Sequence, residues 1–405
     1  MIYREALAWL YGTQRFGIKL GLDNVQRLLR ELDVPSPNQR IIHVAGTNGK
    51  GSVCAMIDSI SRAAGYRTGL FTSPHLVTYR ERIRVNGEMI SPDEVAGGLT
   101  ALRDLIKDWE PHPTFFEITT ALASLHFRNT RCELLVLETG LGGRLDATNA
   151  LTPIVSVITP IGYDHEKWLG HTLEAIAGEK AGIIKANVPV ISANQEAAAE
   201  KVIRARATEC DAPLEFVAAV CDRRTNIALA GKHQQQNAAL AIAALRAGKI
   251  AVTDHAIDRG LTSVNWPARF QRWDERTIID GAHNPAGAQV LAETWCDEIG
   301  AEPATIILAV LREKNVAEIC RILAPIAARF ILPQIRAERA LTPNELAPHL
   351  STLGLAYSIA PSFADALESA RANPEHVLIT GSLHFAGEAL ATLNGDPDSL
   401  EDCAQ

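Results

Sequence analysis

Few foldings are open to the stretch Val44-Ala45-Gly46-Thr47-Asn48-Gly49-Lys50-Gly51-Ser52. The residues before it, Arg40-Ile41-Ile42-His43, are apolar and β-branched in character. Those after it, Val53-Cys54-Ala55-Met56-Ile57-Asp58-Ser59-Ile60, are apolar at helical spacing. That order predicts a strand, a glycine-rich turn and a helix. Glycines let the backbone turn tightly, so successive N–H groups face inward as an anion nest, and the helix N-terminus adds its positive dipole end. Lys50 can then reach the β- and γ-phosphates of a nucleotide, and the Ser52 hydroxyl can reach a phosphate or its Mg²⁺. The spacing departs from the strict phosphate-loop pattern, because Val44 stands where the first glycine should be. A simple glycine turn is the competing reading; the flanking strand and helix favour the phosphate site.

A chain of 405 residues is too long for one core, and two or three domains are expected. Its 47% hydrophobic and 21% charged residues place it with soluble globular proteins. A net charge of −8 argues against nucleic acid or a membrane surface as a partner. The seven cysteines (Cys54, Cys132, Cys210, Cys221, Cys296, Cys320 and Cys403) form no C-x-x-C pair and are odd in number. That fits reduced thiols in a cytoplasmic protein, not a disulfide framework or a zinc site. Met1-Ile2-Tyr3-Arg4-Glu5 does not read as a signal-peptide start, and no apolar run is long enough to span a bilayer.

Residues 1–35 read as helices, with Asp23 as the N-cap of Asn24–Asp33. The strand Arg40–Ala45 and the helix Val53–Ala64 precede a strand Tyr66–Phe71 and the polar turn Thr72-Ser73-Pro74-His75. Asn86-Gly87, between Ile83–Val85 and Glu88–Ile90, signals a hairpin, and Ser91 with Glu94 signals a capping box. Phe115–Arg128 reads as a helix and Glu133–Glu138 as a central parallel strand. Strands at Ile154–Thr159 and Val188–Ile191 alternate with helices at Thr172–Ile184, Gln195–Thr208, His233–Arg246 and Asp254–Ser263. Asn265-Trp266-Pro267-Ala268-Arg269-Phe270 reads as a linker, since Pro continues neither element. The β/α pattern then restarts. Strands are expected at Thr277–Asp280, Thr305–Val310, Phe330–Leu332 and His376–Thr380. Helices are expected at Pro285–Ile299, Val316–Ala328, Pro343–Leu350, Ser362–Ala372 and Leu383–Leu393. The fold class is α/β: a parallel-sheet domain over 1–264, a linker over 265–270 and a smaller Rossmann-like domain over 271–405.

Polar residues stand just past several apolar strands: Ser73, Glu138, Asp164-His165 and, in the second half, Asp280. Sheet topology places the first three on one rim with the phosphate turn, where a hydroxyl, a carboxylate and an imidazole suit Mg²⁺ or Mn²⁺ with waters and phosphate oxygens. Each also has a plainer reading. Ser73 can be a structural turn, and His165 can be hydrogen-bonded packing. Glu138 is the harder to dismiss, because a carboxylate at a buried strand end is costly without a cation. Lys180 reads as a solvated lysine pairing with Glu174 or Glu179. Asp280-Gly281-Ala282-His283-Asn284-Pro285 is either an Asx-type helix start or a site facing the first domain.

Five segments occur in one order: Ala45–Ser52, Phe71–His75, Glu138–Asn149, Glu179–Lys185 and Asp280–Pro285. Together they resemble the folylpolyglutamate synthase/dihydrofolate synthase family of the Mur ligase superfamily, and the likeness runs over nearly the whole chain. The resemblance implies a P-loop-containing ATPase domain followed by a glutamate ligase domain. It implies that Thr47, Asn48, Gly49, Lys50, Gly51 and Ser52 hold the ATP phosphates, with Asn237 on the adenine side and Arg269 and Asp280 as further ATP contacts. By the same likeness Ser73, Glu138 and His165 are magnesium ligands. Lys180 matches a lysine carbamylated in the family, an anion toward a second Mg²⁺, which displaces the solvated-lysine reading. Thr114, Phe116, Leu145, Asp146 and Ala147 match pteridine-binding segments, and His283 and Ser382 match the site of the incoming glutamate. The chain departs from the family pattern at Ala268, where glycine is usual and alanine should stiffen the linker, at Glu166-Lys167, and at Glu313-Lys314-Asn315.

The implied reaction is ATP-dependent amide formation between L-glutamate and a folate or dihydropteroate, with Lys50, Lys180 and His165 at the chemistry. An open form without ligands is expected, and a monomer. Two alternatives stand beside it: a Mur-type ligase acting on a peptidoglycan precursor, and a non-enzymatic phosphate-binding regulator that would need no metal set.

Overall fold

The computed structural model describes residues 1–16, 21–218 and 226–402; Cys221 and Cys403 fall outside them. The first sheet is built from β1 (Arg40–Ala45), β2 (Thr68–Phe71), β3 (Ile83–Val85), β4 (Glu88–Met89), β5 (Leu134–Glu138), β6 (Val155–Ile158), β7 (Val190–Ala193) and β8 (Leu214–Val217). Their spatial order is β4-β3-β2-β5-β1-β6-β7-β8, parallel except for the β3–β4 hairpin at one edge. The second sheet is built from β9 (Gln271–Arg272), β10 (Thr277–Ile279), β11 (Ala304–Leu308), β12 (Ala327–Pro333), β13 (Tyr357–Ala360) and β14 (His376–Thr380). Its order is β13-β12-β11-β14-β10-β9, with only β9 antiparallel. No described helix is long and apolar enough to cross a membrane.

Strand alternation splits each sheet between two cores. On β1, Ile42 and Val44 pack with Val53, Ile57 and Leu240, while Ile41 packs on the other face with Leu28, Ile118 and Leu135. In the second sheet Ile279, Ile307, Ile331 and Ile379 face Phe363 and Phe385; Ile278, Ile306, Phe330 and Leu378 face Leu291 and Leu346. Register sets the rim. Val44 lies opposite Glu138 and Val157, and Phe71 lies opposite Leu137. The loops that leave β1, β2, β5 and β6 therefore open side by side.

Three strands escape the sequence reading: β8, β9 and β13. All are edge strands whose side chains, except Ala360, are exposed or half-exposed, so no apolar run announces them. The helix expected over Val316–Ala328 stops at Leu323, and β12 begins at Ala327. Pro325 between them has no N–H to continue the ladder. Asp23 is not an N-cap; Leu22 holds that position without a side-chain bond, and Asp23 sits in the first turn. The helix after β1 starts at Lys50, earlier than Val53, which puts Lys50 and Ser52 in its first turn. The hairpin at Asn86-Gly87 has both turn residues at positive φ, and Ser91 and Glu94 form their capping box.

The linker is held in a bent form. Ala268 has φ 57° and is fully buried, and Phe270 has φ 45°. An L-residue in this left-handed region costs about 1–2 kcal/mol, so alanine carries strain where glycine would carry little. Against the expectation of an open form, the two domains touch along one face. Helix Leu383–Leu393 lies on the loop after β2, so close that a Cβ at Gly387 would sit 1.9 Å from the Leu76 carbonyl oxygen. The C-terminal segment returns to the first domain, where Glu401 accepts hydrogen bonds from Tyr79 N (2.6 Å), Thr78 Oγ1 (3.1 Å) and the Tyr3 hydroxyl (3.1 Å). Across the cleft, Asp164 takes Lys314 Nζ at 2.5 Å and Asn284 Nδ2 at 3.0 Å, with His283 Nε2 at 3.5 Å. Asn284 Nδ2 also donates to Asn48 Oδ1 at 3.1 Å, which ties the second domain to the glycine turn.

Burial would push the Asp164 carboxyl up, but His283 and Lys314 outweigh it and hold it well below the usual carboxylate range. A depressed carboxyl stabilises above the unfolded value, near pH 4, and that stabilisation fades only as pH falls through the lower folded value. Asp164 and Lys314 are 7% and 10% exposed. Replacing one partner strands the other charge, at a cost of about 3–5 kcal/mol. Asp164→Asn should therefore lower stability by about 3 kcal/mol in urea unfolding at neutral pH. Gly387→Ala should push the helix off the Leu76 loop; small-angle scattering should then give a larger radius of gyration than wild type.

Candidate active site

β1 delivers the glycine turn into a space with no room for side chains. A Cβ at Gly46 (φ 150°) would lie 1.9 Å from Thr159 Oγ1, and one at Gly49 (φ 89°) would lie 2.7 Å from Asn237 Oδ1. The Thr47 and Asn48 amides both donate to the Pro160 carbonyl, at 3.0 and 3.2 Å, and Thr47 Oγ1 donates to Gly162 O at 3.0 Å. These two residues moor the loop to the end of β6. The amides left for an anion are those of Lys50, Gly51 and Ser52, which start the helix and have no acceptor four residues back. Lys50 Nζ lies folded onto the loop, donating to Gly46 O at 3.1 Å and Thr47 O at 3.3 Å.

Glu138 ends β5 beside this turn and is 5% exposed. Burial pushes its carboxyl up, and the positive charge of Lys50 opposes that. It accepts from the Ser73 amide at 3.2 Å. The Ser73 hydroxyl is itself buried with no hydrogen-bond partner. An unpartnered hydroxyl beside an unpaired buried carboxylate fits a hard divalent cation. His165 stands at the cleft mouth with φ 52°, its amide bonded to Asp164 Oδ1 at 2.8 Å. Desolvation, then Lys314 and Lys50, outweigh Asp164 and lower its pKa to about 4, so the imidazole is neutral and able to donate its lone pair. Among the described residues no three His, Cys, Asp or Glu side chains converge to hold a metal alone. Ser73, Glu138 and His165 would therefore need water or phosphate oxygens to complete a shell.

Lys180 is not solvated. It projects from helix Leu173–Ala181, is 4% exposed, and donates to Gly46 O at 2.7 Å. Burial, then the neighbouring Lys50 charge, lower its pKa to about 7. Glu179 pairs instead with Arg144, at 2.8 Å.

On the other side of the turn, Asn237 is buried and donates to Gln234 Oε1 at 2.9 Å. The carboxylate of Asp280 accepts from Phe270 N at 2.7 Å and Ala282 N at 2.8 Å, so it ties the linker to the second sheet. Arg269 Nη1 donates to Ala268 O at 2.9 Å. Lys50, Ser73, Glu138, His165, Lys180, Asn237, Arg269, Asp280 and His283 share one interdomain cavity of about 430 Å³. That is within the size of a small-molecule site, about 300–1,000 Å³.

The segments matched to a pteridine do not line this cavity. Thr114 caps helix Phe115–Asn129, and Phe116 packs under Gly140, which does line it. The Asp146 carboxylate accepts from Gly140 N (2.8 Å), Leu141 N (3.0 Å) and Thr148 N (3.0 Å), so it shapes the loop after β5. Leu145 is half-buried and Ala147 is buried beside it. Ser382 is 1% exposed and caps helix Leu383–Leu393 by accepting from Phe385 N at 3.0 Å. The structure thus brings together the residues matched to phosphate and metal, and leaves these others behind the wall. The sequence reading missed the Asp164–Lys314 clamp and its support from Asn284, since partners 150 residues apart leave no local signal.

Residues 44–212 match the Mur ligase middle domain family, and residues 268–383 match the Mur ligase glutamate ligase domain family. A dihydrofolate synthase/folylpolyglutamate synthase of Bacillus subtilis is 36% identical, with 95% of this chain and 98% of that protein covered. A folylpolyglutamate synthase of Mycobacterium tuberculosis complexed with ADP superposes with a TM-score of 0.89 at 31% identity, covering 99% of this chain and 100% of the other. A bifunctional folylpolyglutamate synthase/dihydrofolate synthase with Mn, AMPPNP and L-glutamate bound superposes with a TM-score of 0.86 at 28% identity, covering 96% and 98%. With both domain families matched in order and relatives aligned over almost their full lengths, this chain belongs to the folylpolyglutamate synthase/dihydrofolate synthase family of Mur ligases.

Proposed function

We propose that this chain is an ATP-dependent carboxylate–amine ligase that adds L-glutamate to a folate, and to dihydropteroate as well, working as a monomer in the cytoplasm. The observation that carries this reading is the rim itself: helix-start amides and Lys50 stand beside an unpaired buried carboxylate and an unpartnered hydroxyl. Relatives covered end to end act on folates by name, which supports this reading over a peptidoglycan ligase.

A carboxylate oxygen is a poor leaving group. Transfer of the γ-phosphoryl group of ATP to the substrate carboxylate makes an acyl phosphate and ADP. The amine of glutamate then attacks the acyl carbon, phosphate leaves, and an amide remains. Lys50 would turn from its loop carbonyls to the β- and γ-phosphates, while the amides of Lys50, Gly51 and Ser52 hold the chain of phosphates in line. Asn237 would face the adenine, with Arg269 and Asp280 contacting the nucleotide from the linker and second domain. Ser73, Glu138 and His165 would hold Mg²⁺, or Mn²⁺, which supplies charge neutralisation on the transferring group.

On this reading Lys180 is the lysine that becomes carbamylated. A buried amine with a lowered pKa is partly unprotonated near neutral pH, so its nitrogen can bond to the carbon of CO₂ and release a proton. The product is an anion beside Gly46 and Lys50, suited to a second divalent ion. Residues 1–264 would then bind nucleotide and pteridine, 265–270 would bend, and 271–405 would bring the amino acid.

ADP release should require glutamate together with tetrahydrofolate or dihydropteroate; release indifferent to both acceptors would overturn the reading. Lys180→Ala should lose most turnover and regain part of it with added short-chain carboxylates. Wild-type protein in isotopically labelled bicarbonate should show a carbamate resonance that the variant lacks; full activity in the variant would remove the carbamate role.

A further inference from the structure

Between β2 and the 3₁₀ turn Tyr79–Arg82 runs the loop that carries Ser73. Ser73, Leu76 and Glu81 line the interdomain cavity. Two carboxylates hold this loop, one from each domain. Glu81 of the first domain accepts from the amides of Leu76 (3.0 Å), Val77 (2.8 Å) and Thr78 (2.9 Å). Glu401 is reached through helix Leu383–Leu393 of the second domain. One of its carboxylate oxygens accepts from Tyr79 N at 2.6 Å, Thr78 Oγ1 at 3.1 Å and the Tyr3 hydroxyl at 3.1 Å. The Glu401 amide donates to Val77 O at 2.8 Å. Leu76 is also met by the second domain, where that helix passes at Gly387. The stretch before Glu401 stays with the second domain, because Arg336 Nη1 donates to Pro397 O at 3.0 Å.

Glu81 satisfies three amides of the loop but not Tyr79 N or Val77 O. Tyr79 is fully buried, and a buried backbone group needs a partner. Here the partner comes from the second domain, so the shape of this loop depends on residues of both. Ser73 is tied on its own side by its amide, which donates to Glu138 at 3.2 Å, while its hydroxyl has no partner. We propose that Glu401 is a positioning residue for the cation site. By fastening residues 76–79 it keeps Ser73 against Glu138, so the site is complete only with residues 397–402 seated on the first domain. Hydrogen bonds to an ionised carboxylate are among the stronger ones, and three of them on one oxygen make a firm tie. The inference rests on the metal reading above, in which Ser73 and Glu138 hold a divalent ion.

Glu401 does not itself line the cavity, so an effect of its loss on the cation passes through the loop. Glu401→Ala should speed hydrogen exchange at the backbone amides of residues 76–79 and leave the strands of both sheets at wild-type rates. Paramagnetic resonance then follows Mn²⁺ added to protein holding a non-hydrolysable ATP analogue. The variant should need about fivefold more Mn²⁺ for half-saturation, the lower end of coupling between two sites. Glu401→Gln keeps an acceptor oxygen without the charge and should fall between the variant and wild type. In turnover the Mg²⁺ requirement should rise by a similar factor. The KM for L-glutamate at saturating Mg²⁺ should stay within about twofold, since the Asp164–Lys314 pair still docks the domains. The proposal is overturned if exchange at residues 76–79 is unchanged, if the loop loosens yet Mn²⁺ binds as tightly as in wild type, or if glutamate KM and the Mg²⁺ requirement rise together. Wild type that holds no more Mn²⁺ than the analogue alone would remove the metal reading and this inference with it. Wild type that holds the ion, with Glu401→Ala holding it equally well, would remove this inference alone.

Discussion

Two lysine side chains converge on one carbonyl oxygen. Lys50, from the turn itself, and Lys180, from a helix far along the chain, both donate to Gly46 O. Gly46 itself sits so close to Thr159 that it has no room for a Cβ. The shared carbonyl has two consequences. It holds the Lys50 cation where a triphosphate can draw it away. It also places a second cation in a dry, positively charged spot, which is why the Lys180 amine gives up its proton so readily. A lysine in water would do none of this.

The same rim shows how burial turns ordinary residues into reagents. Glu138 is a strand-end carboxylate whose partners are an amide and a distant charge, and Ser73 beside it has a hydroxyl with nothing to bond. Buried polar groups left in that state are costly, and they persist where a ligand completes them. Asp146 is the instructive contrast. It is a buried carboxylate on the next loop, but three amides satisfy it and it serves as scaffold.

The second domain does more than cover the first. Asp164 reaches across to Lys314 and Asn284, Glu401 returns to Tyr79, and helix Leu383–Leu393 settles on Leu76 at Gly387. The bent linker, with Ala268 and Phe270 at positive φ, stores a small strain against this docking.

Much of this was legible in the residues. The turn at Gly46–Ser52, the buried strands Arg40–Ala45 and His376–Thr380, and the helix Asp254–Ser263 follow from local rules of periodicity, glycine placement and capping, which need no distant partner. The edge strands β8, β9 and β13 did not show, because an edge has only one neighbour and needs no apolar run. Ser73, Glu138 and Asp164-His165 could be singled out as strand-end polar residues, yet composition alone could not say which of them would be left unpaired. That outcome depends on which groups the packing brings within three or four ångströms. It separates Asp146 from Glu138, turns Lys180 from a surface lysine into a buried amine, and joins Asp164 to a lysine 150 residues away. Chain-local forces set the elements, and burial and long-range electrostatics set their chemistry.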